Sequence, residues 1–408
     1  MMRPGHGIGR RRFLKAGVAA AAAIGAPGVL RYAWAQGSGP IRIGVPTAIT
    51  GTWAALGAQV VRTCKLVQKE VDERGGILGR KVEFIIEDTQ GNPANCVRKA
   101  QEMVERQKVN LFTGIMASSE ALAVSAKLAE WNAFFLSAIN GAGELTAEKY
   151  VPNFFRANTS GPMGARTIAL YLKDTPQKTF YAIGLDYAWG HSSVGVFETE
   201  ITRAGKEFTG KVFAPTGTKD YSTYITKIQQ ANPQGLYVAM TGDDATAFYQ
   251  QAAQFKLGEK IQMVTELVDI LNLKPAGDAT LGLIGSSRYA FTYENAENKA
   301  FVQRFQNEMK EVPDTFDGEQ YQALQVLFRA IEKAKSTDTA ALIKAMEGLE
   351  VTSVKGKVVM RECDHQGAQI GLVVKAVRRS GFAHPIPEVI KTYPADVVTP
   401  PCRKSSYS

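Results

Sequence analysis

Small and polar residues sit where apolar, strand-like runs end, and their types suit holding a solute rather than breaking a bond. In "NLFTGIMASSEALAV", residues 110–124, an apolar run ends in Gly114, Ala117, Ser118 and Ser119 before a helical stretch begins. A serine at that place caps the helix by accepting a free backbone N–H, or forms part of a seat for an anion drawn to the helix N-terminus. Trp53 in "TAITGTWAALG" and Tyr187 and Trp189 in "LDYAWGH" can stack on an apolar ligand or pack in a core. Asp243 and Asp244 in "TGDDA" and Glu266 in "TELVD" are candidate partners for a cation, although aspartates so placed also serve as helix caps. No reactive trio accompanies them. The chain has no Gly-x-Ser-x-Gly elbow, no P-loop and no His-Glu-x-x-His helix. His6, His191, His365 and His384 are isolated from ligand partners in sequence, and there is no Cys-x-x-Cys pair, so neither a metal nor a cofactor is expected. Of the histidines, His191 is the one placed near a strand end, and His365 in "CDHQG" reads as a turn residue.

Positioning these groups takes a framework that alternates strand and helix. "IRIGVP" reads as a buried strand, and Leu56, Val60, Cys64, Val67 and Val71 follow at helical spacing until Gly75-Gly76 stops the helix. "KVEFIIED", "VNLFTG" and "AFFLS" continue the pattern, which predicts a parallel, doubly wound sheet. After "YVPNFFRANTS" the rhythm restarts with "TFYAIG", "GKEFTGKVF", "GLYVAM" and "KIQMVT". A helical block follows, in which Tyr321, Leu324, Leu327, Phe328 and Ile331 form one apolar stripe, and the chain closes on "KGKVVM" and "IGLVVKAV". Two open α/β units imply a cleft between them, with ligands beyond the carboxyl ends of the strands.

The ends bound the setting. "GRRRFLKAG" carries Arg10, Arg11, Phe13, Leu14 and Lys15 in the twin-arginine export pattern, an apolar stretch follows over residues 16–30, and Ala33-Trp34-Ala35 offers a small-x-small cleavage site. The apolar stretch is short and interrupted by Gly25, Pro27 and Gly28, which argues against a permanent span. The expected product is a periplasmic protein cut near Ala35. The whole chain has 48 Lys plus Arg against 39 Asp plus Glu, but six of the basic residues lie in residues 1–35, leaving a net charge of +3. A nucleic-acid surface therefore has little support. In an oxidising compartment Cys363 and Cys402 are a candidate disulfide, formed after export of the folded chain, and Cys64 falls on the apolar face of a helix.

The ordered series "IGVPTAITGTWAALG", "VDERGGILGRKVEFIIEDTQGNPA", "FTGIMASSEALAV", "FFLSAINGAGELT", "FFRANTS" and "DYAWG" resembles the periplasmic binding proteins of branched-chain amino-acid ABC transporters. The resemblance spans essentially the whole mature chain and continues through "GTKDYSTYITKIQQANP" and "EQYQALQVLFRAIEKA". It implies a type I periplasmic binding protein fold: two Rossmann-like lobes with parallel sheets, joined by a three-crossover hinge that closes on a ligand. It also implies a permease and ATPases of the inner membrane as partners of a monomer. The expected lobes are 36–158 plus 288–350 and 159–287 plus 351–408, behind a leader of 1–35. Ser118 matches the family serine that holds a ligand carboxylate, Ile139 and Gly141 fall where the family has a small residue and a threonine, and Glu266 matches a glutamate that holds the α-ammonium.

The departures from that pattern bear on the ligand. Gly141 removes a hydroxyl donor, and Leu56 and Trp189 stand where amino-acid binders often carry tyrosines. The expected ligand set is Trp53, Ser118, Ser119, Ile139, Gly141, Trp189, Asp243 and Glu266, taking an amino acid or close derivative. Aromatic carboxylates or amides are the alternative on the same scaffold. A secreted α/β enzyme using Asp243 or Glu266 with His191 is the reading from another class.

Overall fold

The computed structural model describes residues 1–2 and 39–402; the twin-arginine leader and the cleavage point near Ala35 lie outside the described residues. The first sheet has the order β2-β1-β3-β4-β5 and is parallel throughout, with β1 Ile41–Thr47, β2 Val82–Asp88, β3 Leu111–Phe112, β4 Phe134–Ser137 and β5 Phe154–Arg156. Its register pairs Ile43 with Phe84 on one side and with Leu111 on the other. Both faces are covered. Phe112, Phe135 and Phe154 pack with the helix Pro93–Gln107 and the helix Ser118–Ser125. Leu111, Phe134, Leu136 and Phe155 pack with the helix Ala54–Glu73 and the helix Thr315–Ala334. Alternate residues of one strand thus feed opposite cores, which is why these strands read as continuous apolar runs.

The second sheet is larger. Strands β6 Thr179–Leu185, β7 Glu207–Ala214, β8 Gly235–Ala239, β9 Gln262–Thr265 and β10 Ile284–Ser287 are parallel. A small sheet of β11 Glu350–Ser353, β12 Gly356–Met360 and β13 Gly367–Ala368 comes next in sequence. Strands β14 Gly371–Val377 and β15 Ile386–Tyr393 then join the second sheet, β14 antiparallel to β10 and β15 antiparallel to β14, giving the order β15-β14-β10-β9-β8-β6-β7. The expectation of wholly parallel sheets is corrected here. A strand returning through a short turn, as β15 does after β14, can pair only antiparallel.

The chain passes between the two large sheets three times: after β5, after β10 and between β13 and β14. The expected boundary at 350/351 falls ahead of the third passage. Val351, Val358 and Met360 of the small sheet enter the same core as Phe134 and Phe155, and Arg156 bridges to Gln366, so residues through β13 pack with the first sheet. A short amphipathic hairpin carries no mark of the core that it will join. The passages are bound by buried side-chain amides: Gln322 and Gln369 both donate to the Ala157 carbonyl, at 2.9 and 2.8 Å, and Gln366 donates to that of Asn158 at 3.0 Å.

Candidate functional site

Seven strand ends converge on one cleft. Trp53 follows β1; Met116, Ala117 and Ser118 follow β3; Ile139 and Gly141 follow β4. From the second sheet come Tyr187 and Trp189 after β6, Thr241 after β8, Leu267 after β9 and Arg288 after β10, and Leu56 and Phe316 complete the wall. The empty space within the cleft is about 330 Å³, part of it open to solvent. In both sheets the strand order reverses here, β1 against β3 and β6 against β8, which is where open α/β sheets leave a crevice.

Gly114 explains the run of small residues before Ser118. Its φ of +70° turns the chain out of β3, and a Cβ there would lie 2.7 Å from Val45 and 2.8 Å from Val60. Only glycine fits so tightly in that conformation. The turn delivers Ser118 to the cleft as the first residue of its helix. Neither serine is the cap: Ala117 holds that position, and its N–H is taken by the Glu120 carboxylate at 2.9 Å. Ser119 is half-buried and off the cleft wall. The Ser118 Oγ accepts from the N–H groups of Gly141 and Ala142, at 3.2 and 3.1 Å. With both backbone donors aimed at the oxygen, its own O–H is left to donate elsewhere.

Aromatic rings span the cleft from both sides. The Trp53 and Tyr187 centroids are 5.5 Å apart and those of Tyr187 and Trp189 5.9 Å, spacings suited to tilted aromatic packing. Trp53 Nε1 and Thr241 Oγ1 are buried without a protein partner. Trp189 Nε1 is engaged, donating to Glu266 Oε1 at 3.0 Å.

The loop that carries Trp53 is anchored by Asp88 at the end of β2. Its Oδ1 accepts the N–H groups of Ile49, Thr50 and Gln90, and Oδ2 accepts the Thr50 hydroxyl at 2.5 Å. Burial pushes this carboxyl up, but the bonds from Thr50, Gln90 and Ile49 outweigh it and bring it down to about 2. A folded-state value below the ordinary 3.8 stabilises the charged form, so the gain is whole above about pH 4 and is lost as pH falls through 2. Asp88→Ala is expected to lower the melting temperature at pH 7 and to weaken ligand binding by freeing the Trp53 loop. The melting difference from the parent should shrink between pH 4 and pH 2; a difference independent of pH would remove the charge from this account.

Of the residues expected to hold a ligand, Trp53, Ser118, Ile139, Gly141 and Trp189 line the cleft together. Asp243 does not; it is exposed in the first turn of the helix Gly242–Gln254. Asp244 accepts from the Gly217 N–H and the Tyr221 hydroxyl, the latter at 2.7 Å, and so ties a loop rather than a ligand. His191 pairs with Asp186 at 2.7 Å, away from the cleft wall. Glu266 is 1% exposed behind the wall, where Oε2 accepts from Tyr237 at 2.7 Å. Burial pushes its carboxyl up, and Arg288, Tyr237 and Trp189 pull it back. Arg288 itself is absent from the sequence-based set. Its signal is the one that finds the others, since "IGSS" is a strand and Arg288 is the residue after it.

Two α/β lobes joined by three passages, with facing strand ends around an aromatic, polar-cornered cleft, define a solute-binding protein of the type I periplasmic class. The chain belongs to the periplasmic binding protein family, whose profile matches residues 40–381. It is similar to Leu/Ile/Val-binding protein homolog 4 of Brucella abortus, with 25% identity over 387 residues covering 90% of each chain. Among solved structures it is similar to the ABC transporter substrate-binding protein from Sphaerobacter thermophilus, with 26% identity, a TM-score of 0.80, and coverage of 87% of this chain and 98% of that one. It also shares its fold with the solute binding protein of an ABC transporter from Rhodopseudomonas palustris BisB5, described in complex with 3,4-dihydroxy benzoic acid, at 23% identity, a TM-score of 0.81 and the same coverage. The chain is thus a periplasmic binding protein, similar to Leu/Ile/Val-binding protein homologues and to substrate-binding proteins of ABC transporters. Among the described residues no helix is long and apolar enough to cross a membrane.

Proposed function

We propose that this protein delivers a small organic acid to an ABC importer by closing its two lobes on the acid's carboxylate. The observation that carries the reading is the corner made by Ser118, whose hydroxyl already accepts two backbone N–H groups and is left to donate, with the Arg288 guanidinium on the same wall. Amino acids and aromatic carboxylates both present that carboxylate. The names of the relatives support the first, and the aromatic walls of Trp53, Tyr187 and Trp189 suit the second.

On this reading the chain leaves the cytoplasm by its twin-arginine leader, is cut near Ala35 and works as a periplasmic monomer that binds without turning its ligand over. The lobes of the proposal are residues 36–158 plus 288–368, and 159–287 plus 369–408. A thermal-shift panel of amino acids and aromatic acids tests it. A cognate ligand at 100 times its dissociation constant should add about 2.7 kcal/mol to stability. The bound compound should be recovered chemically unchanged; product formation at catalytic protein concentrations would sink the binding-only reading.

A further inference from the structure

We propose that Arg288, not Glu266, sets the charge of the ligand, and that the cleft selects a carboxylate with a flat apolar body and no ammonium group. The inference rests on the solute-binding reading above. Arg288 brings its guanidinium to the cleft wall, 5.6 Å from the centre of the Trp189 ring. Nη1 donates to the Ile139 carbonyl, Nη2 lies 3.7 Å from Glu266 Oε1, and Nε has no protein partner although the side chain is only 4% exposed. A buried cation with an open N–H favours an anionic partner, because charge-assisted bonds are the strong ones and an unpaired buried donor is costly.

Glu266 is already committed. One oxygen accepts from Trp189 and the other from Tyr237, and the carboxylate sits behind the wall rather than on it. An ammonium could reach it only by displacing the Trp189 indole. No acid is among the residues that line the cleft, so a ligand ammonium would meet Arg288 with no anion facing it. Glu266 is the internal counter-ion that orients Arg288 and Trp189.

Gly141 completes the arrangement. A Cβ at this position would lie 2.4 Å from Arg288 Nη2 and 2.4 Å from Trp189 Cδ1. The threonine expected here from the resemblance would displace the guanidinium from this position. The missing hydroxyl is therefore the space that admits a charged donor in its place.

Calorimetric titration of the mature chain with benzoate, 3,4-dihydroxybenzoate, benzamide, L-phenylalanine and L-leucine tests the inference. An aromatic carboxylate should bind, with benzamide and both amino acids at least about tenfold weaker. Arg288→Gln should abolish the difference between benzoate and benzamide. Gly141→Ala keeps every charge but pushes the guanidinium aside, so it should cost about tenfold in benzoate affinity. That variant supplies the test should Arg288→Gln not fold. Amino-acid binding stronger than benzoate binding, and lost in Glu266→Gln, would overturn the inference and leave the solute-binding reading standing. Binding of none of these compounds would overturn the inference as well. The underlying reading would fall with it only if the wider panel of amino acids and aromatic acids also left the melting temperature unchanged.

Discussion

Replacing Cys363 and Cys402 together by serine should cost about 4 kcal/mol of stability. The bond joins residues 39 apart in sequence, and closing a loop of that length removes about this much from the unfolded chain's conformational freedom. Its placement adds to the effect. Cys363 lies in the turn between β12 and β13, in the small sheet that shares the first lobe's core, whereas Cys402 follows the helix Ala395–Val398, which packs on the second lobe's helix Gly161–Lys173. The disulfide is thus a covalent tie beside the third passage between the lobes. Arg361 reinforces it, pairing with Asp364 and donating to the Pro400 carbonyl at 2.8 Å. Urea denaturation of the double variant should show the loss, and reducing agent should bring the parent chain to the same midpoint. Cys402 is exposed and Cys363 partly so, which leaves the bond open to reductant. Free thiols at both positions in protein recovered from the periplasm would refute the tie.

Lys355→Met should be nearly as damaging, at about 3–5 kcal/mol, because it breaks a buried ion pair and leaves one partner charged. Lys355 Nζ lies 3.1 Å from Glu319 Oε1 and donates to the Thr159 hydroxyl at 2.6 Å, with both side chains at 1% exposure or less. Thr159 sits in the first passage, and its N–H also donates to Glu319, at 3.2 Å. One pair therefore clamps the long helix, the small sheet and the crossing segment after β5. Burial pushes the ammonium down and the carboxyl up, and each is drawn back by the other. The double variant Lys355→Met/Glu319→Leu should recover much of the loss, since no charge is then left unpaired. Equal destabilisation in the single and double variants, measured by chemical denaturation, would show that the two groups do not depend on each other.

Both effects lie at the passages between lobes, whereas the cleft proposed to take the ligand lies at the strand ends. Position relative to the strand ends brought five of the expected residues to one cleft. Trp53, Ser118, Ile139, Gly141 and Trp189 are each within a few residues of a strand's end, and all five face one cleft. The same rule places Asp243 and Glu266 at strand ends too, yet one points to solvent and the other turns behind the wall. Distance from a strand end limits where a residue sits, not which way its side chain is drawn. For Glu266 that is decided by Trp189 and Tyr237, which lie 77 and 29 residues away in the chain.

The sequence by itself determined the alternation of strand and helix, the two-lobed class and the family, because these rest on local periodicity and an ordered series of turns. Tertiary structure alone decided four other things: that β14 runs against β10 in the second sheet, that the small sheet joins the first lobe, that Ala117 rather than a serine caps the helix, and that Arg288 stands where Gly141 leaves room. All but the cap are contacts between residues far apart in the chain. A glycine looks like a lost hydroxyl when read alone, and becomes the seat of a guanidinium once β10 is laid beside it.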